Sequence, residues 1–82
     1  MSQSLEKLNR DLSFFIRHNH ELYTMARNMK DFNIDNNSVS LLLAAAFRVI
    51  KKLENYNPYD VIESYPDTKE YIVSVVKEVQ EA

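Results

Sequence analysis

His18 and His20 are the only imidazoles in the chain, and it contains no cysteine. Two positions apart on a helix, they project about 200° from each other. One helix therefore cannot aim both at a single metal ion. In an extended segment they could share one, but no further His or Cys completes a tetrahedral set. The expectation is a solvated pair beside a helix kink, with no metal site. Ser13, Ser38, Ser40, Ser64 and Ser74 fall at cap or surface positions. No nucleophile elbow, phosphate loop or zinc-protease signature surrounds them. The carboxylates mostly stand beside basic residues or at helix starts, where pairing and the helix dipole account for them. No catalytic residue and no cofactor are expected, and the chain reads as a non-enzyme.

Charge argues in the same direction. Ten basic and twelve acidic side chains give a net charge of −2, with the signs interspersed. Arg10, Arg17, Arg27, Arg48, Lys51 and Lys52 do not form the dense basic footprint of a nucleic-acid binder. A helix-turn-helix would also want a turn glycine, and the chain has none. Nucleic acid is therefore not an expected partner. The first residues carry no apolar run behind a basic start, so a secretory signal is not expected. The longest apolar stretch, Leu41 to Phe47, is far short of the ~20 residues that span a bilayer. Ser2 follows Met1, and no carboxy-terminal cysteine motif occurs, so no lipid anchor is expected. The expected location is the cytoplasm, without direct membrane insertion.

The elements follow from composition and spacing. The 82 residues suit one domain, 1–82. Zero glycines, where about 7% is usual, disfavours strand hairpins and points to helices. Asparagine can end helices in the left-handed conformation instead, and Asn28, Asn33, Asn55 and Asn57 stand where elements would end. Leu5, Leu8, Leu12 and Phe15 repeat at steps of three and four behind Ser4, a candidate cap. The register runs on through Asn19 to Leu22, Ala26 and Met29. It predicts either one long amphipathic helix over about 4–30 or two helices, with Asn19 as a new cap. The continuous or slightly kinked form is preferred, because neither proline nor glycine intervenes.

Asp31 to Asn37 reads as a polar connection around Phe32 and Ile34. Asn36, Asn37 or Ser38 then caps a helix over Val39–Leu53 that is apolar on nearly all sides at Leu41 to Ala46 and so forms the buried centre. Asn57-Pro58-Tyr59-Asp60 starts a short helix to about Ser64. Pro66 punctuates it, and Asp67-Thr68-Lys69-Glu70 has capping-box spacing. Ile72, Val75, Val76 and Val79 form the inner face of a last helix. The predicted fold class is all-α, a small helical bundle of three to five helices.

Two surfaces are candidate binding sites. The first stripe places Leu12 and Asn19 at one heptad position and Leu22 at the other. A lone Asn in such a seam can fix register and oligomer state. An ordinary bundle helix shows the same stripe, and that reading is preferred to a seam with another chain. Four of five tyrosines lie between residues 56 and 71. Tyr56, Tyr59 and Tyr65 form either a partner-binding patch around the two prolines or a lid of rings over the core.

The stretch from Asn28-Met29-Lys30-Asp31-Phe32-Asn33-Ile34-Asp35-Asn36-Asn37 to Asn57-Pro58-Tyr59-Asp60, with the chain's length and helical, glycine-free character, resembles the lysis-inhibition accessory proteins of T-even bacteriophages. That resemblance implies an antiholin-like cytoplasmic factor that binds the holin and delays lysis of the host cell. The residues themselves point only to a regulatory protein that binds another protein. Two alternatives stand beside it: a regulator that binds host transcription machinery through the acidic C-terminal half, and a self-associating structural protein.

Overall fold

A computed structural model describes the backbone of residues 2–29 and 34–82 and the side chains of 6–29, 34–51 and 53–82. The described residues form five helices, α1 (Ser2–His18), α2 (His20–Asn28), α3 (Asn36–Val49), α4 (Pro58–Ser64) and α5 (Pro66–Glu81), with a 3₁₀ turn at Lys51–Leu53 between α3 and α4. No strand occurs among the described residues. The fold is the all-α bundle anticipated above. Ser4 lies inside α1, which starts at Ser2, so it does not begin the helix as expected; Asp31 to Asn33 of the expected connection lie outside what is described, and Asn36 and Asn37 already belong to α3.

The first stripe is two helices, not one. Asn19 adopts extended backbone, φ −88° and ψ 125°, and its side chain accepts from the Leu22 N–H at 3.0 Å. Its own N–H still donates to the Phe15 carbonyl and its carbonyl accepts from Tyr23, both at 2.8 Å. One residue thus closes α1 and caps α2, without proline or glycine. Asparagine manages this because its short amide competes with the backbone for the next turn's donors. Length supplies the motive: a continuous helix over 4–30 would run about 40 Å, whereas the longest dimension of the molecule is 31 Å. The break lets Leu12 and Ile16 of α1 and Leu22 and Ala26 of α2 reach one core, all at 0% exposure.

α3 crosses the middle, with Val39, Leu42, Leu43 and Ala46 fully buried. Asp35, one residue before the anticipated caps, is its N-cap, and the helix ends at Val49 rather than Leu53. α5 covers the core with Ile72, Val75, Val76 and Val79, the four residues its spacing nominated. It starts two residues earlier than the Asp67 capping box would have it, with Pro66 as its first residue and Tyr65 preceding it without a side-chain cap. No described residue has positive φ, so Asn28, Asn55 and Asn57 do not use the left-handed conformation. Asn28 ends α2 in ordinary helical backbone, Asn57 caps the start of α4, and Asn33 is outside the described residues.

A reciprocal clasp joins the ends of α2 and α5. The Gln80 amide donates to the Ala26 carbonyl at 3.0 Å, which also accepts from the Met29 N–H, and to the Met29 carbonyl just past the end of α2. Arg27 in turn donates to the Val79 carbonyl at 3.0 Å and the Ala82 carbonyl at 3.3 Å at the end of α5. On the residue before Val79, Glu78 pairs with Arg17 of α1, which donates from Nε to the Ser13 hydroxyl at 3.0 Å. Thr68, fully buried, has no hydrogen-bond partner for its hydroxyl among the described residues.

Candidate functional site

Two of the hydroxyls that could do covalent chemistry are occupied locally. Ser40 and Ser74 donate to carbonyls three residues back, of Asn37 at 2.8 Å and Tyr71 at 2.7 Å. His18 and His20 are exposed on either side of Asn19, and the His18 ring lies against Phe14 at 4.6 Å between centroids. Among the described residues, no three His, Asp or Glu side chains gather into a cation site.

A groove of about 580 Å³ lies between the start of α3, the end of α4 and the first half of α5. Ile34, Ile62, Pro66 and Val73 supply its apolar surface, and Asn36, Glu63, Lys69 and Glu70 its polar edge. Its local construction follows from two prolines. Asn57 accepts from the backbone N–H groups of Tyr59 and Asp60 at 2.9 and 3.2 Å, and Pro58 enters the first turn of α4 with its φ already helical. That start sets the phase of α4, so that Tyr59, Ile62 and Glu63 share one face at spacings of three and four. Tyr65 leaves the helical region, at φ −133° and ψ 75°, and the proline after it disfavours helical backbone there. It ends α4 by donating to the Val61 carbonyl at 2.8 Å, and α5 departs at once from Pro66. The corner opens the groove.

Tyr59 does not line the groove but precedes Ile62 by three residues on α4. Its hydroxyl donates to the Asn37 amide oxygen at 3.0 Å, tying α4 to the first turn of α3, while 53% of the residue stays exposed. Acids outnumber bases around the groove. Beside it, hydrogen bonds from the Ser38 backbone N–H, at 2.9 Å, and then from the Ser38 hydroxyl hold the Asp35 carboxyl below its ordinary value of 3.8. Asp35 is thus an anion throughout the neutral range.

The nominated residues separate into two groups. Leu12 and Leu22 are at 0% exposure within the chain's own core, so neither is available as a seam for another chain, and Asn19 is engaged as a cap. The stripe was an intramolecular core signal, and it omitted Ile16, which is equally buried. Tyr56, Tyr59 and Tyr65 are exposed by 58%, 53% and 46%. Tyr56 leans its edge on Phe47 at 6.3 Å, so the rings border the core without covering it. Ile34, Ile62 and Val73 were not singled out as groove residues. The phase of α4 counted from Pro58 would have placed Ile62 beside Tyr59; the approach of Ile34 and Val73 depends on the corner at Tyr65. Among the described residues no helix is long and apolar enough to cross a membrane. Comparison with protein-family models, curated proteins and solved structures finds no match to this chain.

Proposed function

We propose that this chain is a non-enzymatic regulator that acts by seating an amphipathic segment of another protein in the groove between α3, α4 and α5. The observation that carries the proposal is the groove itself: an apolar floor of Ile34, Ile62, Pro66 and Val73, edged by Glu63, Glu70 and Lys69, with the exposed Tyr59 three residues before Ile62 on α4. Such a surface suits a helix or extended segment with an apolar stripe and flanking cations. Tyrosine adds contact area with few torsions to freeze.

The named form of the partner is a cytoplasmic segment of a holin, on the resemblance to the lysis-inhibition accessory proteins. Physical chemistry supports that pairing, since cytoplasmic segments next to membrane spans are enriched in Lys and Arg. The acids at the groove would attract such a segment. Regulation would be a shift in population: the chain binds the closed holin state more tightly than the open one, and lysis is delayed by that difference in affinity. The protein would act from the cytoplasm.

The test joins a pull-down from native, infected cells with a titration of a labelled basic, amphipathic peptide from the holin's cytoplasmic segment. Binding is expected to weaken on the order of tenfold in Glu63→Lys/Glu70→Lys and in Tyr59→Ala, with helicity retained. A peptide that ignores the charge reversal would remove the groove from the proposal. Recovery of RNA polymerase subunits in place of a lysis protein would move it to transcription control.

A further inference from the structure

One phenylalanine stands clear of the core. Phe14 is 58% exposed, whereas Phe47 is buried and Phe15, next to it in sequence, is half-buried. Its ring is held by two neighbours, Phe15 edge-on at 5.6 Å between centroids and His18 at 4.6 Å. A ring already held in place has less freedom to lose on binding. Arg10, also exposed, precedes Phe14 by four residues and so lies about 40° from it around α1. On the same face Lys7 is neutralised by Asp11 at 3.2 Å, and Arg17 by Glu78. Arg10 forms no ion pair among the described residues. The outer face of α1 is therefore an aromatic ridge beside an uncompensated cation.

The groove is complementary to that ridge. Its floor is apolar, its volume of about 580 Å³ has room for a phenyl ring, and at its edge Glu63 and Glu70 outnumber Lys69. Neither acid forms an ion pair among the described residues. Phe14 does not line the groove of its own chain. Helix α5 packs against both α1 and α4, whereas α1 and α4 do not touch among the described residues. From these two surfaces we infer that the groove, read as a docking surface, also receives Phe14 of a second copy of this chain, with Arg10 against the acids at its edge. Charge favours this pairing over a symmetrical one. Two ridges face to face would bring Arg10 towards Arg10, and two grooves would bring acids towards acids.

Ridge and groove are different patches, so the contact is heterologous. Each docked pair keeps one groove and one ridge free, and further copies can add head to tail. One ring with one helix face buries less than the ~1,600 Å² of a standard interface. The association is accordingly reversible and visible at high concentration. A second copy and a segment of another protein exclude each other from the same groove, so self-association holds the chain back from its partner until it is diluted or outcompeted.

Two variants that alter only exposed residues separate ridge from groove. Phe14→Glu keeps the groove and loses the ridge, and Glu63→Lys/Glu70→Lys does the reverse. In sedimentation equilibrium at high concentration the unaltered chain should rise above its monomer mass of 9.7 kDa and pass the dimer without a plateau. Each variant alone should associate about tenfold more weakly or less, with an unchanged circular dichroism spectrum. An equal mixture of the two should form a one-to-one dimer and stop there, because one supplies the ridge and the other the groove. A monomer at all concentrations, a plateau of the unaltered chain at the dimer, association that survives either substitution, or a mixture that stays monomeric would each overturn the inference. Dilute Phe14→Glu, whose groove is intact, should bind the basic peptide as tightly as the unaltered chain does. Peptide binding without self-association would remove the second copy as an occupant. A mixed dimer without peptide binding would uphold it and remove the basic segment of another protein instead.

Discussion

Where α2 meets α5, and where α3 meets α4, short helices of similar make-up are joined in different ways. The first junction is closed by its own polar side chains, with Arg27 and Gln80 each donating to carbonyls at the end of the other helix and Arg17 paired with Glu78 nearby. Across the second, one side-chain hydrogen bond is present among the described residues, Tyr59 to Asn37, and the neighbouring side chains Leu41, Tyr56 and Tyr65 face outwards. Polar groups matched within the chain hold it together and leave little for a partner to recognise. The exposed rings and the uncovered leucine are where recognition can act. The molecule therefore has a fastened side and an open side.

The contrast breaks most visibly at the level of single leucines. Leu22→Ala, on the fastened side, should cost about 2–5 kcal/mol through lost burial and a residual cavity, read from urea denaturation. Leu41→Ala should change stability by no more than about 0.5 kcal/mol. Equal costs would mean that the open side is as structural as the other.

Legibility in the sequence divides along the same line. Elements with a capping residue beside a proline or an apolar period were readable: Asn57-Pro58 predicts α4, and Ile72, Val75, Val76 and Val79 predict the buried face of α5. Asn19 carried both readings of the first stripe. Local sequence could not choose, because the choice depends on how long a rod the rest of the chain can cover. Leu41 was misjudged for a related reason. An all-apolar turn signals burial on average, but the number of neighbours available to α3 decides which residue is left uncovered. Among the candidate site residues, exposure of the tyrosines followed their loop and cap positions. The groove itself needed the corner at Tyr65.

A smaller effect sharpens the comparison. Arg27→Ala and Gln80→Ala should each cost about 1 kcal/mol, and a double-mutant cycle should give a coupling of about 0.5 kcal/mol or more, since each supports the helix end from which the other reaches. Tyr59→Phe, which removes the hydrogen bond across the open side, should cost less than either. The reverse order would exchange the roles of the two sides.

The smallest effect lies at Asp35. Its folded pKa is depressed, so its contribution is complete above the ordinary value of 3.8 and is lost as pH falls through the lower folded value. Asp35→Asn keeps a cap acceptor but removes the charge. The difference in melting temperature between the two proteins should be constant from about pH 5 to 7 and change only below 3.8. A change near neutrality would point to another group.

The clasp also bears on time. Arg27 and Gln80 reach carbonyls 51 to 55 positions away along the chain, whereas α1 with α2 and α3 with α4 are neighbours in sequence. Nearby segments meet early and distant ones late, because closing a long loop is entropically costly. The clasp should form after the rate-limiting step of folding, and its removal should speed unfolding far more than it slows refolding. Stopped-flow traces of Arg27→Ala would show this as a shifted unfolding limb beside a nearly unmoved refolding limb. How long a molecule stays folded would then be set by two side chains that contribute little to how quickly it folds.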